Sequence, residues 1–196
     1  ALSAVHDAQG TISHYIGISI DITDRKRSEE RIHHLAHHDV LTDLPNRVLF
    51  REQIERELVK AVHGRQFALL YIDIDEFKKI NDEHGHLTGD RVLRSLANLL
   101  KREQRAVDVL ARYGGEEFTL LLPETGPTGA RIFAERIIRR VAAHDFGEAG
   151  RPVHVTISIG VATFPDERIT DPESFLKLAD ANLYKAKADG RNRFRD

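Results

Sequence analysis

Residues 66–75 read Gln-Phe-Ala-Leu-Leu-Tyr-Ile-Asp-Ile-Asp (QFALLYIDID). From Gln66 to Ile74 the run is nearly continuous in apolar residues. A strand apolar on both faces must be covered on both, so this segment predicts a central strand packed between helices. The run ends on two acids, Asp73 and Asp75. Carboxylates at the end of a buried strand are costly unless something cationic compensates them. Two positions apart, they share a face if the strand continues through Asp75. If the chain leaves the strand there, only Asp73 can be placed. The plain alternative is a pair of solvated strand-end residues.

Strands and helices alternate on both sides of this run. Upstream, Leu41–Asn46 reads as a loop, and Asn46 can cap a helix with Leu49, Phe50, Ile54, Leu58 and Val62 on one face. Downstream, a short helix is expected near Lys78–Glu83. A longer one follows, capped by Thr88, with Val92, Leu93, Leu96, Leu99 and Leu100 inward. Val107–Tyr113 and Phe118–Leu122 read as strands about a tight Gly114-Gly115 turn. A helix is expected over Pro127–Ala143. Val153–Val161 alternates as a strand, with Val153, Val155, Ile157, Ile159 and Val161 on one face. A last helix runs from Pro172 to Ala188, stopped by Gly190. The layout predicts an α/β domain of α+β character, with a mixed sheet flanked by helices.

The chain has 196 residues, enough for one well-buried domain with an attached segment. Its net charge of −2 gives no basic excess of the kind that binds nucleic acid, and the absence of cysteine excludes disulfides and thiolate metal sites. No apolar run reaches the ~18 residues of a membrane span. The sequence opens on Ala1 and a strand-like segment, which reads as a piece of a longer protein with room for a sensory or membrane part upstream.

Chemistry-bearing residues gather around the acidic strand end. In Tyr113-Gly114-Gly115-Glu116-Glu117-Phe118, two glycines allow a sharp turn and close approach of a bulky ligand. By alternation, one of Glu116 and Glu117 can face the same side as Asp73. Carboxylates from neighbouring strands beside a bare glycine turn suit Mg²⁺ and phosphate. Lys78 lies at a helix start, where phosphates bind readily. Asn81 and Asp90 offer groups able to pair with a purine edge. Lys187 and Arg191 are four apart and share a face if the last helix reaches that far. Taken singly, each is an ordinary cap or surface residue.

Together they resemble the GGDEF family of diguanylate cyclases. The strings that carry the resemblance are DVLTDLPNR (39–47), DIDEFKKINDEHGHLTGD (73–90), RYGGEEF (112–118), SIGVA (158–162) and ADANLYKAKADGRNR (179–193). GGEEF is an active variant of the family signature. Asn182 departs from the family's usual small residue. The resemblance implies a central, mainly antiparallel mixed sheet of the nucleotidyl-cyclase or polymerase-palm type. It implies that two GTP condense into cyclic di-GMP with release of pyrophosphate, in a homodimer holding one GTP per domain. Asp73, the Ile74 carbonyl and Glu116 would hold two Mg²⁺ ions, with Mn²⁺ able to substitute. Glu116 or Glu117 would help deprotonate the ribose 3′-OH. Asn81 and Asp90, with His86 nearby, would read guanine. Lys78, Lys187 and Arg191 would bind phosphates, beside the Gly115 turn. Arg105 and Asp108 fit the family's RxxD inhibitory site for the product, with Arg136 in support; the alternative is an ion pair without a ligand. The implied location is cytoplasmic. A domain that only binds nucleotide is the competing reading, and the intact Asp73, Glu116, Glu117 and Lys78 argue against it.

Residues 1–24 resemble the end of a PAS sensor domain. Ile16, Ile18, Ile20 and Ile22 alternate within residues 11–22, Leu2–His6 is a hairpin partner, and the string Asp21-Ile22-Thr23-Asp24-Arg25-Lys26 follows. Thr23 or Asp24 would cap a connector helix over 25–38 whose apolar stripe is only Ile32, Leu35 and Ala36. The cyclase domain would then occupy 39–196. His33, His34, His37 and His38 form two i, i+4 pairs open to Zn²⁺, but a solvated, histidine-rich connector explains them better.

Overall fold

A computed structural model describes residues 2–6, 9–17, 21–60, 64–148 and 150–196. The chain divides into two compact units, Ala1–Ala36 and His37–Asp196.

In the first unit, β1 (Leu2–His6) pairs antiparallel with β2 (Ile12–Gly17), as the hairpin reading expects. Ile18 and Ile20 fall outside the described residues. Helix α1 (Thr23–His37) starts two residues before the expected 25, and its cap differs: the Asp21 carboxylate accepts from the Thr23 amide at 2.8 Å. An Asx side chain two residues back does the work assigned to Thr23 or Asp24.

The second unit carries a five-stranded sheet in the order β4-β5-β3-β6-β7. Its strands are β3 (Phe67–Ile74), β4 (Val109–Arg112), β5 (Glu117–Pro123), β6 (Ile157–Phe164) and β7 (Phe194–Arg195). All pairings are antiparallel except β6 with β7. The QFALLYIDID segment is the middle strand, and every residue of β3 is buried. Its even-numbered residues, Ala68, Leu70, Ile72 and Ile74, join a core with α3 (Phe77–His84), α4 (His86–Glu103) and α5 (Pro127–Ala142). Its odd-numbered residues, Phe67, Leu69 and Tyr71, pack toward α2 (Arg47–Lys60) and α6 (Pro172–Ala188). Fully burying one such side chain stabilises the fold by roughly 1.5–3 kcal/mol, so two full faces commit the strand to the centre. On the α6 side the fit is close: a Cβ on Gly160 would overlap the backbone of Ala179 and Leu183, so only glycine lets this helix lie on β6.

Several boundaries differ from the sequence reading. Asn46 caps α2 as expected, accepting from Val48 at 2.9 Å and Leu49 at 3.3 Å, while Val62 lies outside the described residues. Thr88 does not cap α4. The helix begins at His86 with Gly85 as its N-cap, at φ 81°, and the Thr88 hydroxyl donates to the His84 carbonyl at 2.9 Å. Strand β6 begins at Ile157 rather than Val153. Val153 is held by Asp145 and Phe146 instead, although Val153 and Val155 still fill the core face their alternation predicts. Strand β7 was not anticipated, since two residues show no period. The departure Asn182 is buried and donates to the Val161 carbonyl at 2.8 Å, on the stretch of β6 beyond its short pairing with β7.

Candidate active site

Asp73 is the penultimate residue of the central strand, 4% exposed, on the same side as Tyr71 and facing α6. In register it lies opposite Glu117, the first residue of β5. Alternation allowed one acid of the hairpin to face Asp73, and the structure brings both near it. Glu117 does so from the strand, in hydrogen-bond contact with the Tyr71 hydroxyl. Glu116 lies in the turn just before β5, where its carbonyl accepts from the Ile74 amide at 3.4 Å, and its carboxylate feels the charge of Asp73. Tyr71 is a site residue that the sequence reading missed. The period of two along β3, counted back from Asp73, would have found it.

Three carboxylates gathered at a buried strand end repel one another. Burial, and then the charge of Asp73, pushes Glu116 and Glu117 above the ordinary carboxylate range. Burial likewise raises Asp73 despite a direct ion pair, in which Lys187 Nζ sits 2.8 Å from its carboxylate. The cluster therefore draws cationic charge. Among the described residues no three His, Cys, Asp or Glu side chains form a metal site by themselves. Two carboxylates with a carbonyl and substrate phosphate oxygens are nonetheless the donors Mg²⁺ prefers, since it rarely takes an all-protein cage. The residues present fit that ion.

Lys78 lies exposed in the first turn of α3, whose N-cap residue Glu76 makes no side-chain capping bond. Amides at an uncapped helix start are donors for phosphate. Asn81 and Asp90 are half-buried, and a Cβ on Gly89 would overlap the Asn81 side-chain oxygen, so this glycine admits the amide beside Asp90. His86 is exposed at the start of α4, and Gly115 is exposed in the hairpin. Lys187 and Arg191 do not share a helical face. Helix α6 ends at Ala188, and Arg191 sits beyond it at φ 60°, its amide bonded to the Ala186 carbonyl at 3.1 Å. Arg191 still acts on Asp73, partly opposing the burial that raises its carboxyl.

The second acid of the pair, Asp75, is not a solvated strand-end residue. It is 6% exposed, with its oxygens bonded to Thr156 and Ser158 hydroxyls and to the Asn192 amide.

A clamp behind the glycine turn was also invisible in the sequence. Arg112 donates to both carboxylate oxygens of Asp39, at 2.9 and 3.0 Å, and to the Gly115 carbonyl at 2.6 and 3.2 Å. Asp39 in turn accepts from the Thr42 amide and hydroxyl. One guanidinium thus ties the acidic hairpin to the loop that opens the second unit.

Arg105 and Asp108 form an ion pair at 2.9 Å just ahead of β4. Asp108 is buried, whereas Arg105 also reaches the Pro123 carbonyl and the Thr125 hydroxyl. Arg105 and Arg136 line one cavity of about 390 Å³, with Phe133 under the Arg136 guanidinium and Glu103 paired to it. Asp108 orients Arg105 and does not line the cavity.

Comparison with known proteins gives a consistent result. Residues 36–193 match the family described as diguanylate cyclase, GGDEF domain. The chain is 45% identical over 174 residues to diguanylate cyclase DgcM of Escherichia coli K12; the match covers 88% of this chain and 41% of DgcM, so the chain spans well under half the length of that relative. Among solved structures, the coiled coil and GGDEF domain of DgcB from Caulobacter crescentus, in complex with c-di-GMP, superposes with a TM-score of 0.79 at 32% identity, covering 88% of this chain and 92% of that one. The active GGEEF domain of a diguanylate cyclase from Vibrio cholerae gives a TM-score of 0.70 at 34% identity, covering 77% and 97%.

Proposed function

The chain belongs to the GGDEF diguanylate cyclase domain family, and on that premise we propose that it condenses two GTP molecules into cyclic di-GMP and two pyrophosphates. The observation that carries this reading is the cluster of Asp73, Glu116 and Glu117 against Lys187, with Asn81 and Asp90 on the adjoining helices. In each half-reaction a ribose 3′-oxygen attacks the α-phosphorus of the other GTP. The bond to the β-phosphate breaks, and pyrophosphate leaves. Glu116 and Glu117 are the groups at hand to take the 3′-OH proton. Asp73, the Ile74 carbonyl and Glu116 would hold Mg²⁺, which when bound supplies stabilisation of charge on the phosphate oxygens.

Lys78, Lys187, Arg191 and the amides that open α3 bind the phosphates in this reading. Asn81 and Asp90 select guanine, with His86 beside them. A two-fold product made from two identical substrates calls for two copies of the domain face to face. Arg105 and Arg136 bind the product as an inhibitor, supported by their shared cavity, with Asp108 holding Arg105 in place. Residues 1–24 are the end of a PAS domain, 25–38 a connector and 39–196 the cyclase, acting in the cytoplasm where GTP is found.

The test is incubation of the purified chain with GTP and Mg²⁺, followed by chromatography of the products. Cyclic di-GMP should form at a rate rising more steeply than linearly with protein concentration. Asp73→Ala and Glu116→Ala should lower the rate by orders of magnitude while the fold persists. Near-normal turnover in either folded variant refutes the assignment.

A further inference from the structure

Asp73 and Asp75 are two residues apart, yet they are engaged differently. Asp73 faces the cationic end of Lys187. Asp75 spends its acceptor capacity on the protein. Its Oδ1 takes the Ser158 hydroxyl at 2.7 Å, and its Oδ2 takes the Thr156 hydroxyl at 2.6 Å and the Asn192 amide at 3.0 Å. A carboxylate that buried and that fully engaged has little left for substrate or metal.

Its partners come from two places. Thr156 and Ser158 lie at the start of β6, beside β3. Asn192 belongs to the loop that turns α6 into β7. In that loop Gly190, Arg191 and Asn192 are consecutive residues at positive φ, 111°, 60° and 47°. Non-glycine residues keep such a conformation only where their surroundings impose it. The loop is held by backbone bonds from Gly190 to Lys187, from Arg191 to Ala186 and from Ile159 to Arg193, by the Arg193 side chain donating to the Arg191 carbonyl, and by the Asn192–Asp75 bond, the one side-chain tie between Asn192 and the end of β3 among those described. Asp75, Thr156, Arg191 and Asn192 border a cavity of about 430 Å³, which leaves space on that side of the loop.

We propose that Asp75 is a positioning residue for the triphosphate: by holding the Asn192 amide to the end of β3, it fixes the left-handed turn that sets Arg191 beside Asp73. This deepens the cyclase reading and rests on it, since Arg191 matters only if phosphate binds there. Asp75 touches no substrate. It acts through Arg191, one residue before the amide it holds.

Two measurements on the full chain test the role. In Asp75→Ala, hydrogen exchange at the amides of 190–193 should accelerate while β3 and β5 stay protected, a result that does not depend on GTP. The KM for GTP should rise roughly ten-fold or more, the scale of a charge-assisted phosphate contact, with a smaller fall in kcat. In an Arg191→Ala background the same substitution should add no more than about two-fold, because the contact it supports is gone.

Asp75→Asn keeps the volume and one carbonyl acceptor for the Asn192 amide, while Ser158 can accept from the new amide. It should fold and give an intermediate KM, and it keeps the proposal testable if the alanine variant does not fold. Unchanged exchange at 190–193, or an equal KM penalty with and without Arg191, overturns the positioning role and leaves the cyclase reading standing. A parent protein that does not bind GTP overturns both.

Discussion

Replacing Arg112 tests whether the acidic hairpin is held by the loop that opens the domain. The guanidinium bonds Asp39 through one nitrogen and the Gly115 carbonyl through two others. The Arg112 and Asp39 side chains are 13% and 24% exposed, so solvent screens the pair in part. Hydrogen bonds to charged groups contribute about 1.5–3 kcal/mol, and breaking a fully buried pair costs about 3–5 kcal/mol. Partial exposure argues for the lower end, about 2–3 kcal/mol for Arg112→Ala. For a domain of this size that lowers Tm by roughly 4–12 °C. Turnover should fall as well, because a loosened Gly114-Gly115 turn lets Glu116 drift, and a displacement on the order of 1 Å costs up to about a hundred-fold. Arg112→Lys keeps the charge but cannot fork to both partners, so it should recover part of the stability and little of the activity. Acid dependence gives an independent check. Burial acts to raise the Asp39 carboxyl, but hydrogen bonds from Thr42 and Arg112 outweigh it and hold the group below its ordinary range. A depressed carboxylate stabilises the fold above its unfolded pKa, about 3.9, and that contribution is lost as pH falls through the lower folded value. The clamp should thus be constant at neutral pH and fade only below about pH 4. Differential scanning calorimetry and a GTP turnover assay read both effects. An Arg112→Ala protein with the parent's Tm and kcat would show that the clamp is a surface contact without consequence for the hairpin.

Glu117→Gln keeps an acceptor for the Tyr71 hydroxyl and removes a charge that burial and Asp73 both disfavour. A carboxyl whose folded pKa is raised weakens the fold once pH exceeds that value and costs nothing below its unfolded pKa. The variant should therefore melt higher at pH 7–8, with the gain vanishing toward about pH 4, while turnover drops; a lower Tm at neutral pH contradicts this. Gly89→Ala places a methyl where the Asn81 amide lies, so the GTP-over-ATP preference, measured as a ratio of kcat/KM, should shrink by about ten-fold or more. An unchanged ratio would remove Asn81 from base recognition. Arg105→Ala should weaken inhibition by added cyclic di-GMP roughly ten- to a hundred-fold and lower Tm, because Asp108 is left buried with the backbone amide of residue 105; equal inhibition of parent and variant leaves only a structural ion pair.

What was legible in the sequence was local. The run from Phe67 to Ile72 declares a two-sided strand because it is apolar on both faces. The Gly114-Gly115 pair declares a turn, and Asn46 and Gly190 bound their helices as their chemistry requires. The resemblance supplied the candidate catalytic and substrate residues, which gather at short separations in three of its five strings, 73–90, 112–118 and 179–193. What was not legible depends on contacts across the chain. Arg112 and Asp39 are 73 residues apart, and Asp75 and Asn192 are 117 apart. No period or spacing relates such partners. Thr88 misled because a threonine ahead of an apolar stripe fits a cap, while Gly85 already provided the positive-φ turn three residues before it. The condition for Lys187 and Arg191 to share a helical face fails, because the helix stops at Ala188.

The two acids of the Asp-Ile-Asp string show why the site forms at this end of the sheet. Strand β3 has neighbours on both sides, and Asp73 is paired with Glu117 on one and Ser158 on the other, which holds it close to Glu116 and Glu117 despite their repulsion. The helix following β3 begins without a side-chain cap and leaves amide donors toward the same end. The helix returning on the other side brings Lys187 and, past its end, Arg191. Acceptors and donors are thus held close by elements that meet only here. A fully exposed strand end would let the carboxylates spread apart, and a buried one without Asp75 would leave the Arg191 loop beside an open cavity. One acid supplies the charge of the site, and the other uses its charge to hold the loop carrying a counter-charge. Exchanging their roles is not possible, because Asp73 lies opposite Glu117 in register while Asp75 lies beyond the last paired residue of β3, within reach of the hydroxyls at the start of β6.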